Sequence, residues 1–92
     1  MRITAEISLY PLQSDYLPVI ESAIRSIRAV PELEVIVNQM STQIRGDFQA
    51  VTEAVNHALA ASFQEGGPQV LVAKFLNADL PILEAPDLGP PG

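Results

Sequence analysis

The sequence predicts an α+β fold with the element order β-α-β-β-α-β. Three observations predict it. Residues Arg2 to Tyr10 alternate apolar and polar, which is the period of a strand with one buried face. Two later stretches carry apolar residues at three- and four-residue steps, which is the period of a helix. Short runs rich in β-branched residues lie between and after them, and such residues suit a pleated surface.

In the first strand Ile3, Ala5, Ile7 and Leu9 fall on one side, and Arg2, Thr4, Glu6, Ser8 and Tyr10 on the other. Pro11 ends it, because proline has no N–H to give to a ladder. Ser14 and Asp15 offer helix N-caps, and Pro18 suits a first turn, where N–H groups lack helical partners. Leu17, Ile20, Ile24, Ile27 and Val30 form the expected apolar stripe of the first helix, which Pro31 stops. Leu33 to Met40 reads as the second strand. Ser41 or Thr42 through Gly46 reads as the third. Asp47 is a good N-cap for the second helix, with Phe48, Val51, Val55, Leu59 and Phe63 on one face. Gly66-Gly67-Pro68 is the stop, and Gln69 to Leu76 is the fourth strand.

This order is the ferredoxin-like split βαβ arrangement. Right-handed crossovers place both helices on one face of a four-stranded antiparallel sheet, with the first and third strands central and adjacent. A length of 92 residues fits one domain. The expected division is residues 1–77 as that domain and residues 78–92 as a tail. Pro81, Pro86, Pro90 and Pro91 crowd the tail beside Gly89 and Gly92, a composition for extended or disordered chain. Ile82, Leu83 and Leu88 leave open that part of it docks on a surface.

Composition excludes several function classes. The formal net charge is −6, which opposes nucleic-acid binding, since a phosphate lattice rewards Lys and Arg. It opposes an anionic membrane surface as well. No apolar run approaches the length of a bilayer span, and Glu6 stands where a signal peptide needs its apolar stretch. A soluble, cytoplasmic protein is the expectation. Cysteine is absent, so there is no disulfide, thiol nucleophile or thiolate metal site. His57, the one histidine, has no ligand at metal spacing and reads as a surface residue. Glu6 beside Ser8 lacks a third group to complete a triad, and no phosphate-binding or metalloprotease motif is present. Neither a catalytic residue nor a metal is expected.

Hydrophobic residues make up 48% of the chain and charged residues 17%, a thin charged coat for so small a domain. The outer strands hold much of the surplus. Leu33, Val35 and Val37 lie opposite Ile36 and Met40 in facing, and Leu71, Ala73 and Phe75 lie opposite Val70, Val72 and Leu76. Strands apolar on both faces are usually covered on both. A homo-dimer or homo-tetramer packed through the sheet face without helices is therefore expected.

Two polar segments invite a site. Ser8-Leu9-Tyr10-Pro11-Leu12 ends a central strand, and Gln39 to Gly46 turns into its neighbour. Local turn chemistry, in which Ser41 and Thr42 bond their own backbone, is the alternative reading.

The same segments carry a resemblance. Ile7 to Leu12, with Asp15, Val19-Ile20 and Ser22-Ala23 after them, resemble the opening strand and helix of the YkoF-type thiamine/hydroxymethylpyrimidine-binding proteins. Met40 to Gly46, with Val51 and Ala54, resemble that family's second signature. The likeness runs from about Thr4 to Phe75 and corresponds to one repeat, whereas better-known members carry two. It implies a ferredoxin-like fold, no catalysis and no cofactor. It further implies binding of thiamine or its hydroxymethylpyrimidine half, in precursor supply or salvage, with two copies assembling to make the body of a two-repeat member. An aminopyrimidine offers a donor flanked by acceptors, which hydroxyls and amides can match. The candidate ligand-binding residues are Ser8, Tyr10, Thr42, Ser41, Gln39 and Asp15, with Tyr10 placed to stack on the ring and Leu12, Met40 or Ile44 to wall it. The alternative is an oligomeric regulatory or assembly module of the same fold without a thiamine pocket. A small dimeric barrel enzyme is a third and weaker reading.

Overall fold

The computed structural model describes residues 1–65 and 67–90. Gly66 of the expected helix stop and Pro91 and Gly92 of the tail lie outside them. The elements are β1 (Arg2–Pro11), α1 (Leu17–Arg28), β2 (Glu34–Val37), β3 (Thr42–Asp47), α2 (Phe48–Gln64) and β4 (Gln69–Leu76). One antiparallel sheet has the order β2-β3-β1-β4. The ferredoxin-like α+β fold of the sequence reading is the fold observed.

Register fixes which side chains share a face. Ile3 stands opposite Gly46, Ala5 opposite Ile44, and Ile7 opposite Thr42. These positions face the helices, and Ile3, Ala5, Ile7 and Ile44 form the core with Ala23 and Ile27 of α1 and Val51, Ala54, Val55 and Ala58 of α2. Thr4 pairs with Arg45 and Glu6 with Gln43 on the other face. On β4, Val72 stands beside Ser8 and Val70 beside Tyr10.

Ile27 and Val30 of the first expected stripe and Val51 and Val55 of the second are buried, but both helices are turned so that the rest of the inward line differs. In α1 the buried residues are Val19, Ala23 and Ile27, while Leu17 is 59% exposed. Ile20 and Ile24 are half-buried. In α2 the inward line is Val51, Ala54, Val55, Ala58 and Ser62; Phe48 and Phe63 are about half exposed. The reason is proximity. The two helices pack on each other as well as on the sheet, and alanine lets their backbones approach where phenylalanine would hold them apart. Bulk in the sequence marked hydrophobicity, and the packing selected size.

The caps differ too. Tyr16, not Ser14 or Asp15, occupies the N-cap of α1, and no side chain caps it; a proline follows in its first turn as expected. Asp47 stands at the N-cap of α2 with extended backbone but does not cap it. Its carboxylate lies 3.5 Å from the N-terminal ammonium instead. The second strand stops at Val37, short of the expected Met40. Asn38 to Ser41 close a turn through the Asn38 N–H donating to the Ser41 carbonyl at 2.8 Å, which leaves Met40 exposed at the tip rather than on a strand face.

Candidate functional site

The β2–β3 turn meets the end of β1 and the flank of α1, and a small cleft lies between them. Ile7, Leu9, Ile20, Ile24, Ile27 and Val37 make its apolar wall; Ser8 and residues Asn38 to Thr42 make its polar end. Its volume is about 100 Å³. At about 30 Å³ of liquid per water molecule, that is room for a small ring.

Four of the six candidate residues come together here: Ser8, Gln39, Ser41 and Thr42. Thr42 is 7% exposed and lies on the helix side of the sheet, in register with Ile7 and Val37. Among the described residues its hydroxyl has no hydrogen-bond partner. The Ser8 hydroxyl donates to the Met40 carbonyl at 3.3 Å and so ties the turn to the strand. The Ser41 hydroxyl donates to Glu6 Oε2 at 3.2 Å, a contact across strands rather than the local bonding of an isolated turn.

Tyr10 and Asp15 do not join them. Tyr10 is half exposed on the helix-free face beside Val70. Asp15 is exposed in the loop before α1, where its carbonyl accepts from Gln13 Nε2 at 2.8 Å. Of the expected wall residues, Met40 lines the cleft, Ile44 is wholly core, and Leu12 is exposed. Sequence reasoning missed Ile20 and Ile24 as cleft residues. Their helical spacing was visible but pointed equally to the core, and only the rotation of α1 separates the two roles.

Behind the cleft, on the helix-free face, Glu6 gathers a polar cluster. Gln43 Nε2 donates to Oε2 at 3.4 Å beside the Ser41 bond, and Lys74 Nζ lies 3.5 Å from Oε1. The Gln43 hydrogen bond foremost, with Ser41 and Lys74 behind it, holds the Glu6 carboxyl below its ordinary value against partial burial. Arg45 bridges Glu34 at 3.1 Å and Asp79 at 2.6 Å, and its guanidinium is raised by the Asp79 hydrogen bond. His57 is exposed and 3.8 Å from Glu53, one helical turn away. Among the described residues no group of three or more His, Cys, Asp or Glu is placed to hold a metal ion, and no helix is long and apolar enough to cross a membrane.

A small βαββαβ domain with a cleft between helix and sheet is a common binding scaffold, and comparison with known proteins narrows the class. The model of a family described as thiamine-binding protein matches residues 5–74, more than half of the chain and both cleft-forming segments. The chain belongs to that family. Three solved structures share the fold. A structural-genomics protein from Streptococcus pneumoniae is 20% identical, with 87% of this chain and 90% of that one covered and a TM-score of 0.78. A domain of unknown function from Bacillus cereus is also 20% identical, with coverage of 86% and 78% and a TM-score of 0.74. A Thermotoga maritima protein provisionally assigned to thiamine biosynthesis or salvage is 21% identical, with coverage of 95% and 91% and a TM-score of 0.71. No match was found among curated proteins.

Proposed function

We propose that this protein binds thiamine or its hydroxymethylpyrimidine moiety without catalysis, and serves the supply or salvage of thiamine precursors in the cytoplasm. The family match over residues 5–74, which embraces the whole cleft, carries the reading. The provisional role of the Thermotoga maritima protein agrees with it. In this proposal residues 1–77 are the binding domain. The cleft takes the pyrimidine ring, Ile20, Ile24 and Leu9 pack on its faces, Gln39 and Thr42 answer its donors and acceptors, and Ser8 and Ser41, whose hydroxyls turn to Met40 and Glu6, hold the turn that closes it. The space takes one ring, so the thiazolium of a whole thiamine stays outside.

Thermal unfolding tests it. A ligand at about a hundred times its dissociation constant adds about 2.7 kcal/mol, which is several degrees for a domain of this size. Thiamine, hydroxymethylpyrimidine and thiamine phosphate are the ligands to try, and no shift with any of them at millimolar concentration refutes the reading. Tyr10→Ala and Asp15→Ala locate the site. If either weakens binding more than Thr42→Val does, the ligand lies on the helix-free face or at the α1 loop instead of in the cleft.

A second reading concerns assembly. Val70, Val72, Leu76 and Tyr10 are between 43% and 51% exposed on the helix-free face. A cluster of that kind marks an interface more often than bare surface, and it supports self-association of this face into a homo-dimer or homo-tetramer.

A further inference from the structure

The chain does not leave the helix-free face after β4. Leu76 pairs opposite Thr4, and the next residues fold straight back over that position. The Thr4 hydroxyl donates to the Ala78 carbonyl at 2.8 Å and accepts from the Leu80 N–H at 3.0 Å. Thr4 is thereby 7% exposed, although it lies on the face without helices. Asp79 bridges the two central strands: Oδ2 lies 3.1 Å from Arg2 Nε and Oδ1 lies 2.6 Å from Arg45 Nε. Beyond this clamp the segment runs on as a strap over Glu6 and Gln43. Between strap and sheet a cleft of about 570 Å³ remains, walled by Leu80, Pro81, Ile82 and Pro86.

Two physical consequences follow. Packed sheets approach to about 10 Å, and the strap occupies that layer above the central strands, so a second sheet and the strap cannot both lie there. The strap also stands off the sheet, so little apolar contact holds it. Its attachment rests on two hydrogen bonds and one doubly paired carboxylate, which makes it a unit of low local stability. Charge favours the docked state at the clamp itself: Asp79 sits between Arg2 and Arg45, while Lys74 and the other side of Arg45 are taken by Glu6 and Glu34 of the same face.

We propose that residues 78–87 are an intramolecular competitor for the helix-free face, latched by Asp79 and Thr4, and that release of this latch strengthens self-association of the protein through that face. The inference rests on the assembly reading above. Sedimentation equilibrium on the full chain, wild type against Asp79→Lys and Asp79→Asn, tests it, with hydrogen exchange at the Leu80 amide as a separate readout of docking. Asp79 is on the surface and no core residue touches it in these contacts, and far-UV circular dichroism checks that the variants keep the fold. The expected result is a Leu80 amide protected in the wild type and exposed in Asp79→Lys, with the variant associating at least tenfold more tightly. Asp79→Asn falls between, and 0.5 M salt narrows the difference by loosening the wild-type clamp. An unprotected Leu80 amide in the wild type overturns the latch. A protected amide with equal association in all three chains overturns the competition and leaves the assembly reading standing. A protected amide with every chain monomeric up to millimolar concentration overturns both.

Discussion

Single residues decide what the cleft can recognise. Thr42 presents a hydroxyl with no partner among the described residues, at the end of an apolar wall. Thr42→Val keeps its shape and removes that group. One neutral hydrogen bond is worth about 0.5–1.5 kcal/mol, so affinity for hydroxymethylpyrimidine is expected to fall by a factor of about 2 to 13 by calorimetry, with thermal stability little changed. Ser41→Ala behaves differently, because Ser41 also holds Glu6 and its loss disturbs the turn as well as the cleft. Glu6 makes the turn sensitive to acid. Its carboxyl is held below the ordinary value in the folded protein, so its contribution to stability is complete above the unfolded-state value of about 4.3 and is lost as pH falls through the lower folded value. The melting-temperature advantage of wild type over Glu6→Gln is therefore expected at neutral pH and should vanish in strong acid. An advantage that grew on acidification would contradict the assigned contacts. Neither role was legible from the sequence. Glu6 and Ser41 are 35 residues apart, and only the β1–β3 register brings them together.

At the scale of elements the core is a seam between α1, α2 and the central strands, and Ile27 sits at its middle with no exposed surface. Ile27→Ala removes a buried branched side chain, which costs about 2–5 kcal/mol. Chemical denaturation is expected to show it as a lower midpoint with an unchanged slope. The same change on Ile24, half-buried along the cleft, costs less stability and more affinity. The order and kind of the elements were readable because period-two and helical patterns survive in a short chain. Strand β1 and β4 bounds follow the punctuation of Pro11 and Pro68. What could not be read was the rotation of the helices. Leu17, Phe48 and Phe63 look like core and are exposed, whereas Ala54, Ala58 and Ser62 are buried. Hydrophobicity alone does not report how closely two helices meet. For the site, the two polar segments were visible as a pair. That they close on α1 while Tyr10 points away depends on the parity of β1, which sends Tyr10 to the face of Glu6 and Ser8 and away from Ile7 and Leu9.

For the whole molecule the asymmetry between the two sheet faces governs behaviour. One face is covered by helices over its central strands. The other is part strap, part polar cluster and part exposed valine. Sedimentation at rising concentration is expected to show reversible association above the 9.9 kDa monomer, and Val72→Glu, on the uncovered part of that face, is expected to abolish it while leaving ligand binding in the cleft intact. The outer strand of the same sheet carries a separate hazard. Strand β4 is an edge strand of eight residues, Gln69–Leu76, with Lys74 its one charged side chain. An open edge with that composition is a template for cross-β growth, and a lysine is the usual gatekeeper against it. Lys74 thus has a second duty beside its pairing with Glu6: neutralising it, by substitution or by acetylation, would turn that edge toward fibres.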